Sequence, residues 1–236
     1  MTPPNAVSRP GLPQGDSKRV AVEAMFDRIA PTYDRTNRVI SMGLDQRWRR
    51  DALARLRITR GAVVLDIACG TGDLCRDLTA LGARPIGIDF SAGMLANART
   101  SAPLVRADAL RLPAPDASVD GVVCGFALRN FVDLDAHFRE AARVLRPGSR
   151  YVALDATVPT NPVVRVGNRV WFAGIVPFIG RIMSRDHDAY RYLPRSTAYL
   201  PSRPELADRL RSCGFHEVRV ESRLFGSALL LSGTRR

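Results

Sequence analysis

The sequence predicts an α/β protein built on a mostly parallel sheet with helices on both faces. Two observations carry that reading. From residue 63 onward, short apolar runs alternate with amphipathic stretches, the pattern of strands joined by crossover helices. The first run, Val63-Val64-Leu65-Asp66-Ile67-Ala68, leads directly into Cys69-Gly70-Thr71-Gly72-Asp73-Leu74, where a buried strand turns through glycines into a helix.

The elements follow in order. Residues 1–18 are rich in Pro, Gly and Ser and read as a disordered arm, which leaves residues 19–236 as one domain. Val22, Met25, Phe26 and Ile29 recur at helical spacing until Pro31 breaks the helix. Leu44, Trp48, Leu53 and Leu56 mark a second helical run, so residues 19–60 form a helical cap ahead of the sheet. Val63 to Ala68 is the first strand, Leu74 to Leu81 a helix and Pro85 to Asp89 the second strand. Met94 to Arg99 belongs to a helix, Leu104 to Ala107 is the third strand and Val119 to Gly125 the fourth. Leu134 to Leu145 is a helix stopped by Pro147-Gly148, and Arg150 to Leu154 is the fifth strand. Residues 157–204 then interrupt the rhythm as an insertion. Val163 to Met183 is apolar but carries Arg165, Arg169 and Arg181, which excludes a membrane span of ~20 apolar residues with few charges. A helix lying over the site, or an interfacial segment, fits better. Glu205 to Cys213 is the last helix, ended by Gly214, and Val218 to Val220 and Ala228 to Leu231 close the domain as strands.

Composition narrows the class. The 236 residues suffice for one α/β domain, and 46% hydrophobic with 25% charged residues is ordinary for a globular protein. The formal charge of +12 is not ordinary; it attracts phosphates, nucleic acid or an anionic membrane surface. Nearly all the cationic side chains are arginine, with Lys18 the sole lysine. Cys69, Cys75, Cys124 and Cys213 form no Cys-x-x-Cys pair and have no histidine cluster beside them, so no metal site is expected. Residues 1–18 lack an apolar core, so a secretory leader is not expected and the thiols are expected to stay free in a reducing cytosol.

The chemistry concentrates at strand ends. Gly70 and Gly72 let the backbone turn sharply and approach a ligand that a Cβ would hold off. Position 75 is Cys rather than Gly, so the dinucleotide fingerprint is incomplete. The second strand ends in Asp89, 17 residues after Gly72, where a carboxylate can accept the ribose hydroxyls of an adenosine ligand. The third strand leads to Asp108, 19 residues further on and followed by Ala109, where an acceptor can take an adenine amino proton.

Asp66-Ile67-Ala68-Cys69-Gly70-Thr71-Gly72, Asp89 and Asp108 resemble the motifs of class I methyltransferases. That resemblance implies a Rossmann-like, seven-stranded sheet with an antiparallel last strand, and S-adenosylmethionine as methyl donor. A closer resemblance runs from Glu23 to Leu231. Met25 to Asp34, Asn37, Ser41, Gly43, Trp48, Gly125-Phe126-Ala127-Leu128-Arg129-Asn130, Arg146-Pro147-Gly148 and Tyr190-Arg191-Tyr192-Leu193 are similar to the ubiquinone/menaquinone biosynthesis C-methyltransferases. Carried onto this chain, the resemblance implies cofactor contacts at Asp66, Gly70, Thr71, Gly72, Asp89, Asp108, Ala109 and Gly125. Three departures lie on the acceptor side: Gly125-Phe126-Ala127 where the family usually has Ser-Phe-Gly, Asp155-Ala156-Thr157 for Glu-Phe-Ser, and Arg195-Ser196 for Glu-Ser.

The activity so implied is C-methylation of demethylmenaquinol to menaquinol. A phenol or polyketide methyltransferase, and a non-catalytic cofactor-binding scaffold, are the rivals. The fourth strand leads into no Asn/Asp-Pro-Pro-aromatic motif and no RNA-binding module is visible, so nucleic acid is not expected as a partner. Arg129 is the candidate to stabilise a phenolate, against a surface ion pair, Asn130 to orient it, and Asp155 to act as the carboxylate base, against a helix cap or a partner of Arg129. Tyr33 and Tyr190 are candidates to line the ring or sulfonium site. Trp171, Phe172, Ile175, Val176, Phe178 and Ile179 could form a channel for a prenyl tail, while His137, His187 and His216 read as surface positions. A lipid acceptor and a cationic chain together predict a cytoplasmic protein that touches an anionic membrane peripherally. A homodimer is left open.

Overall fold

The computed structural model describes residues 14–159, 161–171, 174, 189, 192 and 195–236. Seven strands form one sheet in the order β3-β2-β1-β4-β5-β7-β6. They are β1 (Val63–Ile67), β2 (Arg84–Asp89), β3 (Leu104–Arg106), β4 (Val119–Gly125), β5 (Leu145–Ala156), β6 (Phe215–Arg223) and β7 (Ala228–Arg235). The pairs from β3 across to β5 are parallel, and β7 runs antiparallel to both β5 and β6. The strand order reverses between β1 and β4, and there the carboxyl ends of two neighbouring strands leave a crevice outside the sheet.

Eight helices complete the described residues: α1 (Gly15–Ile29), α2 (Tyr33–Ile40), α3 (Leu44–Leu56), α4 (Asp73–Ala80), α5 (Ala92–Ala96), α6 (Leu134–Val144), α7 (Pro162–Val170) and α8 (Arg203–Ser212). The two-residue period of the strands sorts the core into two layers. Leu65, Ile67, Val122, Cys124, Tyr151 and Ala153 face α6 and α8 through Phe138, Ala141, Leu206 and Leu210. Their neighbours Val64, Val123, Val152 and Leu154 face α3 and α4 through Leu53, Leu56, Leu74 and Leu78. A third cluster joins Met25, Ile29, Ile40 and Met94 under the N-terminal helices. Truncating a fully enclosed ring such as Phe138 to alanine in such a layer costs about 3–5 kcal/mol.

Several boundaries differ from the sequence reading. Gly15 to Lys18 are not arm but the first turn of α1, because Lys18 is buried against the protein; residues 1–13 lie outside the described residues. The cap contains an extra helix, α2, between the two runs expected. Helix α6 ends at Val144, before Pro147-Gly148, which sits inside β5 instead. Residues ahead of a proline favour extended backbone, and the pairing shifts register between Val119↔Leu145 and Gly121↔Arg150 to take up the irregularity. The short helix after β2 covers only Ala92–Ala96. β6 and β7 are longer than their apolar runs because ladder bonds between them extend past the buried residues. His216 is exposed as expected, and His187 lies outside the described residues.

His137 is not on the surface. It is fully buried in α6, with Nδ1 3.2 Å from the Ala109 carbonyl and Nε2 3.0 Å from the Tyr151 hydroxyl. A carbonyl only accepts, so Nδ1 carries the proton and Nε2 accepts from Tyr151. Burial pushes the His137 pKa down to about 4. An unfolded histidine titrates near ~6.5, so protonation favours the unfolded chain. The stability it contributes is complete above that value and is lost as pH falls toward 4. Thermal unfolding from pH 7 to pH 4 is expected to show a His137-dependent loss of up to about 3 kcal/mol. A His137→Gln variant should lack that part of the pH dependence, and an unchanged profile in the variant would contradict the assignment.

Candidate functional site

The site begins where β1 ends. Ala68, Gly70 and Gly72 all take left-handed backbone, at φ 56°, 55° and 83°. At Gly72 a Cβ would stand 2.7 Å from Thr100 Cγ2, so both space and conformation require glycine. At Gly70 a Cβ would meet nothing nearer than Tyr33 Cε1 at 3.9 Å. The need there is the backbone angle, and the space above Gly70 stays open to a ligand. α4 starts directly after the turn, which points its first N–H groups at the crevice.

The neighbouring strand ends lock onto this turn. Asp89 Oδ2 accepts from Gly70 N at 2.7 Å, and Oδ1 accepts from Ser91 N at 2.8 Å. Burial raises the Asp89 pKa, and the amides of Ser91, Gly70 and Phe90 pull it the other way. Asp108 Oδ1 accepts from Leu110 N at 2.9 Å, and buried Ala109 follows it. These groups line a cavity of about 110 Å³, roofed by Val22, Glu23 and Phe26 of α1. Asp89 and Asp108 both line it.

A larger cavity of about 700 Å³ opens beside it. The two share Phe26, Tyr33, Ala68, Gly70, Phe126 and Asn130 as common walls, and Gly125 with them. Asp66 lines the larger one. Its Oδ2 accepts from the Cys75 thiol at 3.3 Å, while its buried Oδ1 has no hydrogen-bond partner among the described residues. Burial pushes the Asp66 pKa up to about 7. An unpartnered carboxylate oxygen at this place suits an ammonium from a ligand. Thr71 donates to the Asp34 carboxylate, which ties the glycine turn to α2. The residues around both cavities thus fit S-adenosylmethionine, with acids for its sugar, base and amino group.

Arg129 lies in a 3₁₀ turn, Leu128–Asn130, just past β4. Only 5% exposed, it reaches the larger cavity. Nη1 pairs with Asp155 Oδ1 and donates to the Phe126 carbonyl at 2.8 Å, and Nε donates to Ser196 Oγ at 3.1 Å. Burial alone would lower its pKa; the Asp155 carboxylate, with Tyr33 behind it, turns the net shift upward, so the guanidinium stays charged. Asp155 itself is fully buried and both its oxygens are taken, Oδ1 by Arg129 Nη1 and Ala156 N, Oδ2 by Arg129 N. It does not open onto the cavity as a free base; it holds the arginine.

Asn130 touches both cavities, and its Oδ1 accepts from the Tyr192 hydroxyl at 3.2 Å. Tyr33 stands in the shared wall, edge-on to Phe26 at 5.9 Å, and burial raises its pKa against the opposing field of Arg129. Tyr190 lies outside the described residues, as do Phe172, Ile175, Val176, Phe178 and Ile179. Trp171 lines the larger cavity and donates to the Ile40 carbonyl at 3.2 Å. Gly125 is closed in by Leu74: a Cβ would come within 2.9 Å of Leu74 Cδ1. That leucine occupies the room a serine would use.

Sequence reasoning missed four participants. Tyr192 donates to Asn130. Asp34 reaches Thr71. Arg49 lines the larger cavity while bridging Asp45 at 2.9 Å and Asp73 at 2.7 Å. Lys18 donates to the backbone carbonyl of Arg129. Of these, Lys18 carried a legible signal, four residues before Val22 on the apolar stripe of its helix.

Removing one member of the Arg129–Asp155 pair leaves a buried charge without its partner, which costs about 3–5 kcal/mol. Urea unfolding of Arg129→Met is expected to show a loss of that order. The double variant Arg129→Met/Asp155→Leu is expected to recover most of it, and full stability in the single variant would show that the pair is not enclosed as described.

Residues 14–235 match the ubiE/COQ5 methyltransferase family. The chain is 38% identical over 235 residues to a demethylmenaquinone methyltransferase of Roseiflexus sp. (strain RS-1), covering 95% of this chain and 98% of that one. To a demethylmenaquinone methyltransferase of Thermus thermophilus it is 40% identical over 220 residues, or 89% of this chain and 100% of the relative. A solved methyltransferase from Thermotoga maritima superposes with a TM-score of 0.64 at 19% identity, over 90% of this chain and 99% of that one, a likeness of fold. With the strand-end acids, the glycine turn and the Leu128-Arg129-Asn130 turn in place, the chain belongs to the ubiE/COQ5 methyltransferase family and is an S-adenosylmethionine-dependent methyltransferase.

Proposed function

We propose that this enzyme methylates the ring carbon of demethylmenaquinol to give menaquinol. One observation carries the reading: the acid-lined adenosine cavity and the larger cavity share a wall, and the charged Arg129 guanidinium lies on the acceptor side of it. The names of the relatives point to the same acceptor.

Asp89, Asp108 with Ala109, Gly70, Thr71 and Asp66 would hold the donor. When bound, S-adenosylmethionine supplies an electrophilic sulfonium methyl. Arg129 places a fixed positive charge where a quinol hydroxyl would lie, lowers its pKa and stabilises the phenolate that forms. The hydroxyl proton leaves to water in the open cavity, since Asp155 is committed to Arg129. Electron density then builds on the adjacent ring carbon, which would take up the methyl as the methyl–sulfur bond breaks and S-adenosylhomocysteine leaves; the carbon loses its own hydrogen as a proton, the ring regains aromaticity, and the phenolate takes back a proton from water to give menaquinol. Asn130, held by Tyr192, and Tyr33 in the shared wall fix the ring against the donor. Orientation of this kind contributes up to ~7–11 kcal/mol in favourable cases.

Peripheral contact with an anionic membrane belongs to the same proposal. No helix among the described residues is long and apolar enough to cross a membrane. Among the described residues eleven large apolar side chains are exposed; four of them, Met42, Val158, Leu224 and Phe225, line the larger cavity. Two more, Val163 and Val166, project from α7, whose Val164 and Gly167 also line it. Concentration at one opening, with Met42 65% and Phe225 76% exposed, is unlike the usual scatter of surface apolar groups. A lipid tail leaving the cavity there would pass directly into a bilayer.

Incubation with labelled S-adenosylmethionine and a short-chain demethylmenaquinol is expected to give the ring-methylated product by mass spectrometry. Replacing Asp89 with Ala should weaken S-adenosylhomocysteine binding by about 10–100-fold in calorimetry, the worth of hydrogen bonds to a charged group. Methylation on oxygen, or none, would refute the acceptor reading. In sedimentation, phosphatidylglycerol vesicles are expected to bind the protein at low salt and release it at high salt. Val163→Ser/Val166→Ser should weaken that binding by about tenfold, at roughly 1 kcal/mol or less per lost apolar contact; equal sedimentation without vesicles would end the membrane proposal.

A further inference from the structure

We infer that Lys18 is a positioning residue for methyl transfer: its ammonium fixes the turn that carries Arg129 and Asn130 from the opposite side to Asp155. Lys18 is the sole lysine of the chain and is 4% exposed in the first turn of α1. Its Nζ donates to the Arg129 carbonyl at 2.9 Å and to the Phe131 carbonyl at 2.8 Å. It also stands 3.8 Å from the centroid of the Tyr199 ring. Tyr199 closes the 3₁₀ turn Thr197–Tyr199, and the adjacent Ser196 takes the hydrogen bond of Arg129 Nε.

One ammonium therefore ties three segments that are far apart in sequence: α1, the turn after β4 and the turn ahead of α8. The carbonyls it holds lie at and just past the end of the Leu128–Asn130 turn, where backbone acceptors have no partner within the turn and a cation is favoured. Arg129 is thus gripped at both ends, its side chain by Asp155 and Ser196 and its backbone by Lys18. Without Lys18 the turn keeps its fold but loses the tie that aims the guanidinium into the acceptor cavity.

The cofactor side has its own fastening. Asp27 Oδ1 accepts from Ser91 Oγ at 2.5 Å and from Gly93 N at 2.8 Å, which holds α1 over the adenosine cavity independently of Lys18. Loss of Lys18 is therefore expected to affect turnover more than donor binding. The charged and titratable groups around its Nζ are Arg129 and Asp155 on one side and the Tyr199 phenol, near Arg195, on the other. Burial, then the Arg129 charge, lowers the Lys18 pKa to about 8, with Asp155 opposing. Below that pH the tie is charge-assisted; above it the neutral amine keeps N–H donors but loses the charge that strengthens both bonds and the contact with the Tyr199 ring.

The inference rests on the quinol reading for its kinetic arm, and on the fold alone for its spectroscopic arm. Lys18→Met is expected to lower kcat about tenfold or more, the size of effect that follows when an aligned group is loosened. The KM for S-adenosylmethionine should stay within about twofold, because the donor contacts are untouched. Lys18→Arg should restore most of kcat, and the ratio of its kcat to that of the parent should rise as pH passes through 8. Selective 15N labelling of lysine reports this one ammonium without any acceptor: the parent should titrate near 8 when folded and at the ordinary lysine value in urea. A Lys18→Met enzyme that loses thermal stability but keeps its kcat would show a merely structural role and overturn the inference. So would a flat Lys18→Arg ratio, or a folded-state titration at the ordinary lysine value. Should the parent methylate no quinol, the acceptor reading fails, and the 15N titration still decides whether Lys18 is held as described.

Discussion

The site depends on one backbone constraint: the two central strands, β1 and β4, both end in left-handed turns at the point where strand order reverses. After β1 the residues are Ala68, Gly70 and Gly72; after β4 it is Phe126, at φ 59°. Each turn carries the chain sharply away from the sheet, so a crevice remains between them. Positive φ at alanine and phenylalanine carries strain that surrounding contacts must hold. The hydrogen bond from Gly70 N to Asp89 supplies part of that hold on one side, and Phe126 N donating to the Leu154 carbonyl at 2.6 Å supplies it on the other. Residues of both turns, Ala68 and Gly70 on one side and Phe126 on the other, line both cavities, while Asp89 and Asp108 reach the smaller one from β2 and from the segment after β3.

Charge around the two cavities is buried in two ways. Asp89 at the smaller cavity has amide partners and Asp66 at the larger one a thiol partner, and burial raises the pKa of each. A cationic ligand relieves that condition. In the wall of the larger cavity the Arg129 guanidinium is buried with its counter-ion and a hydroxyl, and the pair holds it charged. Such a pair adds little to stability beyond what apolar residues would supply. It keeps a charge away from bulk water, where electrostatic interactions are stronger, and that is the property the proposed role in phenolate stabilisation would use.

The same construction extends outward. Met42, Leu224 and Phe225, at the cavity opening, also have positive φ, at 53°, 42° and 53°. Met42 and Phe225 each precede a glycine, and each presents an apolar side chain to solvent at the expense of backbone strain. Strain spent on exposing apolar groups is consistent with the proposal that this opening meets a lipid-like molecule.

Much was legible in the sequence because it depends on local pattern. Val119 to Gly125 reads as a strand from its apolar run and was found with those bounds. The glycine turn and the acids Asp89 and Asp108 follow from spacing along consecutive strand–helix units, so their place at strand ends needed no coordinates. His137 and Lys18 were misread although each sits on an apolar helical stripe, His137 three residues after Leu134 and Lys18 four before Val22. Polar identity outweighed position, and only packing shows that each has found hydrogen-bond partners in the interior. For Asp155 the sequence offered a base, a helix cap or a partner of Arg129 and could not choose among them. Its oxygens could equally have faced the cavity or the arginine, and the choice depends on where residues 26 and 41 positions away, Arg129 and Ser196, come to rest. Sequence determined the elements, the donor-binding turn and the family, because those are set by neighbours along the chain. Tertiary structure alone decided which buried charges pair, because that is set by neighbours across it.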